Sequence, residues 1–128
     1  MILGIGADVV EVARVARLLE RYGERFARRV LAPAELEGFR ASANRQIFLA
    51  SRFAAKEAFA KALGTGLRAP VLLTSISVTH DASGRPLLRL APELQALSQR
   101  RGVSAHHITL SHERSIACAV VVLEAGSP

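Results

Sequence analysis

The sequence predicts an α+β domain in which a largely antiparallel sheet packs against one long central helix. Three observations lead there. Asn44 can cap a helix that continues to Leu63 and stops at Gly64. After residue 70 the strand-like segments are joined largely by short turns, Ser83-Gly84-Arg85-Pro86 among them, as antiparallel neighbours are. The 128 residues contain no repeat, low-complexity tract or linker, so residues 1–128 read as one domain. A domain of that length buries roughly two-thirds of the surface its unfolded chain exposes. Half the residues are hydrophobic, but only five are Phe and none is Trp, so the core is aliphatic.

The elements follow in order. Residues 2–7 read as a buried strand ending at Asp8. Helical periodicity runs from about Glu11 to Tyr22, with Val12, Val15, Leu19 and Tyr22 on one side. Pro33 suits the first turn of a short helix. After the long helix, residues 64–70 form a loop, residues 73–80 alternate as a strand and residues 87–90 return. Pro92 opens a helix ending near Gly102, and residues 106–112 and 116–123 supply the last two strands. The final strand is apolar on both alternating faces, as a strand covered on both sides would be. The chain's own helices account for one face. A neighbouring copy's sheet, or a central place within a monomer, accounts for the other.

Composition bounds the partners. The formal charge is +6 and the isoelectric point about 11.0. A basic surface suits nucleic acid, a phosphate-rich small molecule, an anionic membrane or an acidic protein. The single cysteine, Cys118, excludes an internal disulfide framework, and its apolar surroundings read as a buried, inert thiol. The N-terminus lacks the pattern of a signal peptide, and residues 116–123 are too short an apolar run to span a bilayer. A cytoplasmic protein is the expectation.

Chemistry concentrates in the long helix, where charge is scarce: Arg52, Lys56, Glu57 and Lys61. Helical geometry puts Glu57 and Lys61 together, flanked by Phe53, Ala60 and Gly64, with Arg52 and Lys56 on a separate stripe. An exposed i,i+4 salt bridge, worth about 0.2–0.5 kcal/mol, is the plain reading of such a pair. Small and aromatic neighbours and the adjoining Gly64-Thr65-Gly66 loop favour a site for a metal ion and a phosphate instead. In Gly4-Ile5-Gly6-Ala7-Asp8, the third glycine of a dinucleotide fingerprint is missing, because Val9 stands in its place. The glycines then read as points of close backbone packing, and Asp8 as either a helix cap or a ligand. Arg14, Arg17, Arg21 and Arg25 (if the first helix runs that far) fall within an arc of roughly 80°, a face suited to carboxylates or phosphates. In the strand at residues 106–112, His106, Ile108, Leu110 and His112 share one face; His107, Thr109 and Ser111 share the other. His80 and His106 sit near strand ends and read as surface residues, and no histidine or cysteine spacing favours zinc.

Three segments together resemble the holo-[acyl-carrier-protein] synthase family of 4′-phosphopantetheinyl transferases. They are Gly4-Ile5-Gly6-Ala7-Asp8-Val9-Val10-Glu11-Val12, the stretch from Arg52 through Phe53-Ala54-Ala55-Lys56-Glu57-Ala58-Phe59-Ala60-Lys61 to Gly66, and Leu110-Ser111-His112. Order and separation also match, and Phe53, where larger relatives often carry Trp, points to the short bacterial type. The resemblance implies transfer of phosphopantetheine from coenzyme A to a serine of an apo carrier protein, releasing 3′,5′-ADP. It implies Asp8 and Glu57 as magnesium ligands, with Lys61 on the same phosphates. Glu57, or a water it holds on the metal, is the candidate for taking the serine proton. Arg52, Gly64, Thr65, Gly66, Arg85, Pro86, Ser111 and His112 join Lys61 as coenzyme A residues. Arg14 and Arg21 match docking positions for an acidic carrier protein, and the helical wheel adds Arg17 and Arg25. The resemblance further implies a homotrimer with sites between subunits. A nucleic-acid module is the rival reading, but it lacks regularly spaced stacking aromatics and gives no reason for Asp8 and Glu57. Neither nucleic acid nor membrane is therefore an expected partner.

Overall fold

The structure, a computed structural model, describes residues 1–126. Strand β1 (Ile2–Glu11) leads into helices α1 (Val12–Tyr22) and α2 (Glu24–Val30). A 3-10 turn at Pro33–Glu35 and the short α3 (Leu36–Ala41) precede the long α4 (Arg45–Leu63). The hairpin of β2 (Ile76–His80) and β3 (Pro86–Leu90), then α5 (Pro92–Arg100), β4 (Val103–His112) and β5 (Ile116–Ala125), complete the order. All strand pairs are antiparallel: one sheet runs β1-β5-β4 with β5 in the middle, and β2-β3 form a second. The α+β class with an antiparallel sheet on a long helix is what the sequence predicts.

Helix α4 begins where Asn44 Oδ1 accepts the Ile47 amide at 3.0 Å. It ends at Gly64, whose left-handed φ of 81° lets its own amide reach back to the Ala60 carbonyl at 3.0 Å. Its sheet-facing side is largely alanine, with Ala50, Ala54, Ala55, Ala58 and Ala62 buried. The strand it crosses is equally bare. A Cβ added at Gly4 would stand 1.9 Å from the Ala62 carbonyl oxygen, and one at Gly6 would stand 1.9 Å from that of Ala58. Glycine here lets backbone lie on backbone. Because side chains alternate along a strand, the face that carries Gly4 and Gly6 also carries Asp8.

Several boundaries differ from the sequence expectation. Strand β1 continues through Asp8 to Glu11, because Asp8, Val9, Val10 and Glu11 pair with Ala119, Cys118, Ala117 and Ile116. Asp8 is therefore no helix cap; the residue before α1 is Glu11, whose side chain makes no capping bond. Gly23, at φ 60°, breaks the first helix, so Arg25 belongs to α2 and not to the wheel of α1. Tyr22 is 45% exposed, with the Arg21 guanidinium 5.2 Å from its ring centre. The stretch 73–75 is a 3-10 turn and β2 starts only at Ile76. His106 is half-buried where a surface residue was expected, and Cys118 is half-buried on the sheet's outer face.

That outer face is apolar. Ile5 and Val9 are each 62% exposed and Ile116 is 43% exposed, beside half-buried Val120 and Val122. Strand β5 is central in its sheet, yet among the described residues only its Ala117, Ala119, Val121 and Leu123 side is covered. If the bare contact between β1 and α4 holds the layers together, Gly6→Ala costs about 3 kcal/mol or more, by overpacking against rigid backbone. Urea unfolding of the two proteins measures this; an unchanged midpoint would show that the layers can separate freely.

Candidate active site

Past Gly6, the inner face of β1 presents Asp8 to the flank of α4 that carries Glu57 and, one turn on, Lys61. These three and Arg14 of α1 line a cleft of about 490 Å³, walled by Val10, Val15, Leu18, Phe26 and Phe53. The Lys61 ammonium donates to Asp8 Oδ1 at 3.0 Å and to the Ala7 carbonyl at 3.0 Å. It thus bridges α4 to β1, where the plain reading had it pairing with Glu57 along the helix. Burial pushes the Glu57 carboxyl above its ordinary range and the charge of Asp8 pushes the same way; Lys61 and Arg14 pull against them. Two carboxylates crowded into one cleft attract a cation.

Their donor set fits magnesium. Both groups offer hard carboxylate oxygens, and magnesium commonly takes one or two carboxylates with the rest of its shell from phosphates and water. Among the described residues no cluster of three or more His, Cys, Asp or Glu could hold a metal ion, so a third protein ligand is not at hand.

The remaining expected residues are placed unevenly. Gly64, Thr65 and Gly66 follow directly on α4, with Gly64 and Gly66 both at positive φ. Arg85 stands in the β2–β3 turn, its Nε 3.4 Å from Asp81 Oδ2, with Pro86 opening β3. Ser111 and His112 end β4, two strands from β1, and neither lines the cleft. Arg52 also lies elsewhere: it stacks 3.7 Å over the Phe48 ring and sits 3.9 Å from Glu35. Arg17 and Arg21 are exposed on α1, whereas Arg14 reaches the cleft itself. Arg25 lines a second, more apolar cleft of about 380 Å³ with Leu18, Tyr22, Phe26, Arg29, Val30, Phe53 and Leu73. Leu18, Phe26 and Phe53 line both hollows, which are therefore neighbours.

Residues 4–121 match the profile of the 4′-phosphopantetheinyl transferase superfamily. The chain belongs to that superfamily. A holo-[acyl-carrier-protein] synthase of Nitrosospira multiformis is 54% identical over 124 residues, 97% of this chain and 99% of that protein. The crystal structure of the holo-[acyl-carrier-protein] synthase from Neisseria meningitidis superposes with a TM-score of 0.94 at 43% identity, covering 97% of this chain and 99% of that one. The Bacillus anthracis synthase, solved in complex with coenzyme A (3′,5′-ADP), superposes with a TM-score of 0.83 at 34% identity, over 98% and 99% of the two chains.

For this member of the superfamily, sequence reasoning missed the apolar walls. Phe26 lines both clefts from α2, whose seven residues gave no long periodic signal that would have aimed its side chains, and Leu18 stands on α1 beside the Leu19 that the periodicity singled out. It also missed Glu35, the buried partner of Lys56. The clue was available: two cations on the inward stripe of a buried helix require a counter-charge.

The position of Glu57 has a thermodynamic consequence. A carboxyl whose folded pKa is raised is destabilised when ionised, so its stability contribution is complete below the unfolded value of 4.5 and lost as pH rises through the folded value. With chelator present, Glu57→Gln is therefore expected to raise the melting temperature at pH 7, and the advantage to vanish below the ordinary carboxyl range. A pH series of thermal unfolding checks this; an advantage independent of pH would contradict it.

Proposed function

We propose that the chain, acting as one domain, transfers 4′-phosphopantetheine from coenzyme A to a serine hydroxyl of an apo acyl carrier protein, with 3′,5′-ADP as the other product. The observation that carries this reading is the convergence of Asp8, Glu57 and Lys61 in one cleft beside an arginine-bearing helix. Relatives named for this activity support it across nearly the whole chain.

In this reading Asp8 and Glu57 hold magnesium, which when bound neutralises charge on the donor's pyrophosphate. The residues do the rest. The serine oxygen forms a bond to the phosphorus that bears the pantetheine arm, and the bond from that phosphorus to the bridging oxygen breaks. Lys61 has three N–H donors and spends two on Asp8 and Ala7, leaving one for a phosphate oxygen of the departing 3′,5′-ADP. Glu57, made more basic by burial and by Asp8, takes the serine proton on its carboxylate. The open backbone at Gly64 and Gly66 allows the donor's phosphates close approach.

The acceptor is recognised by charge. Arg17 and Arg21 project from α1 into solvent and Arg14 joins them to the cleft, so an acidic helix lying along α1 would present its serine to Glu57. The exposed apolar sheet face around Ile5, Val9 and Ile116 meets further copies of the chain, in a homotrimer. Arg52, Arg85, Pro86, Ser111 and His112, which lie outside this chain's cleft, then serve coenzyme A from the edge of a neighbouring subunit's site or by supporting it.

Incubation with coenzyme A, magnesium and apo carrier protein, followed by intact-mass analysis, tests the assignment. Asp8→Ala and Glu57→Ala should each lower transfer by roughly 10²-fold or more, as loss of a charge-stabilising group does; undiminished transfer in excess chelator would refute the metal's part. Arg14→Glu or Arg21→Glu should raise the carrier's KM, an effect that added salt reproduces in the wild type. For the oligomer, mixing a Glu57→Ala chain with a His112→Ala chain should restore part of the activity. A fully active monomer in sedimentation would exclude a shared site.

A further inference from the structure

The charges that line the Asp8 cleft set a condition on what enters it. Asp8, Glu11 and Glu57 bring three carboxylates, and Arg14 and Lys61 bring two cations. A divalent cation arriving alone therefore meets less negative charge than it needs for neutrality. Lys61 accounts for the shortfall more directly than Arg14, because its ammonium stands on Asp8 Oδ1 at 3.0 Å. It acts on the second carboxylate as well: burial and Asp8 push the Glu57 carboxyl up, and Lys61 is the foremost group holding it down.

A lysine held by Asp8 alone would be free to leave as a metal took that carboxylate. Lys61 is fastened a second time, to the Ala7 carbonyl at 3.0 Å, so the backbone of β1 keeps the ammonium beside the cleft whatever Asp8 binds. Its charge then stands next to any cation on Asp8 and Glu57, and like charges so close oppose each other. Solvent moderates this opposition without removing it, since the Lys61 side chain is 54% exposed but that of Asp8 only 17%. An anion with several phosphate oxygens reverses the balance. It offers ligands to the metal and an acceptor to the third N–H of the ammonium, and it supplies the negative charge that the cleft lacks.

We propose that Lys61 makes metal and donor binding interdependent: it keeps Asp8 and Glu57 a weak site for a divalent cation alone, and the phosphates of coenzyme A turn that site into a strong one. The inference rests on the metal and donor assigned above, and it gives Lys61 a role against the free metal besides its contact with the donor. A plain tie that holds Asp8 in place for the metal would act with the opposite sign: removing it would weaken metal binding, where removing an opposing charge strengthens it.

The test measures binding, not turnover, with Mn²⁺ as the probe and the free ion followed by electron paramagnetic resonance. The full chain and its Lys61→Met variant are titrated with and without saturating coenzyme A, in the absence of carrier protein and with correction for the metal that coenzyme A binds by itself. Wild type is expected to bind Mn²⁺ about tenfold more tightly when coenzyme A is present. Lys61→Met should bind Mn²⁺ alone roughly tenfold more tightly than wild type does, and coenzyme A should then add no more than about twofold. Weaker or unchanged Mn²⁺ binding by folded Lys61→Met overturns the proposal and leaves Lys61 a tie between α4 and β1. An equal gain from coenzyme A in both proteins overturns it too. If Lys61→Met does not fold, Lys61→Gln, which also removes the charge, carries the same comparison. A wild type that binds no Mn²⁺ even with coenzyme A, or whose binding is untouched by Asp8→Asn and Glu57→Gln together, would instead refute the metal assignment itself and this inference with it.

Discussion

Helix α4 lies so close to β1 that a methyl group on Gly4 or Gly6 would stand 1.9 Å from a helix carbonyl oxygen. The rest of the structure depends on this contact. Two bare glycines on the strand meet a run of alanines on the helix, and dispersion between closely packed backbones takes the place of large interlocking side chains. The same approach sets the geometry of the candidate site. The first side chain on that face after the glycines is Asp8, and at this layer spacing its carboxylate comes within 3.0 Å of the Lys61 ammonium. With larger residues at 4 and 6 the helix would stand off, and the carboxylates of Asp8 and Glu57 would no longer share a cleft.

Helix α4 also separates two electrostatic environments. Glu57 and Lys61 open onto a solvent-reached cleft, where crowding of like charges keeps the site receptive to a cation. Lys56, the neighbour of Glu57 in sequence, turns about 100° away into the core. There its charge is met by Glu35 and the Val30 carbonyl. Adjacent charges on one helix therefore have opposite fates: one stays accessible, the other is buried and paired with Glu35.

The sheet has a similar division. Its inner face, through Ala117, Ala119, Val121 and Leu123, packs on α4, while its outer face leaves Ile5, Val9 and Ile116 in contact with water. An apolar face of this kind has no covering element among the described residues, which supports the proposed association of copies. On the proposed reading, an assembly in which one chain's edge completes another's site would account for residues that the resemblance ties to coenzyme A but that lie away from the Asp8 cleft, Ser111 and His112 at the end of β4 and Arg85 in the hairpin turn.

Much of this was legible from sequence because it depends on local chemistry. The Asn44 cap and the Gly64 stop bounded α4; the short turns gave antiparallel strands; helical spacing joined Glu57 to Lys61; and the resemblance named Asp8 and Glu57 as partners. Other points lay beyond it. Whether Asp8 capped a helix or faced a cleft was open locally, and β-pairing with Ala119 decided it. Arg25 parted from the wheel because Gly23 turns the chain, and a wheel presumes that it does not. Glu35 and Lys56 are 21 residues apart in sequence, and nothing local pairs them. The sequence by itself determined where the main helices and strands lie, though not all their bounds, and which residues carry charge, since those follow from nearest-neighbour sterics and periodicity. Only the tertiary structure decided which charges meet, because that depends on how closely two layers approach, and here the approach is set by the absence of a side chain at Gly4 and Gly6.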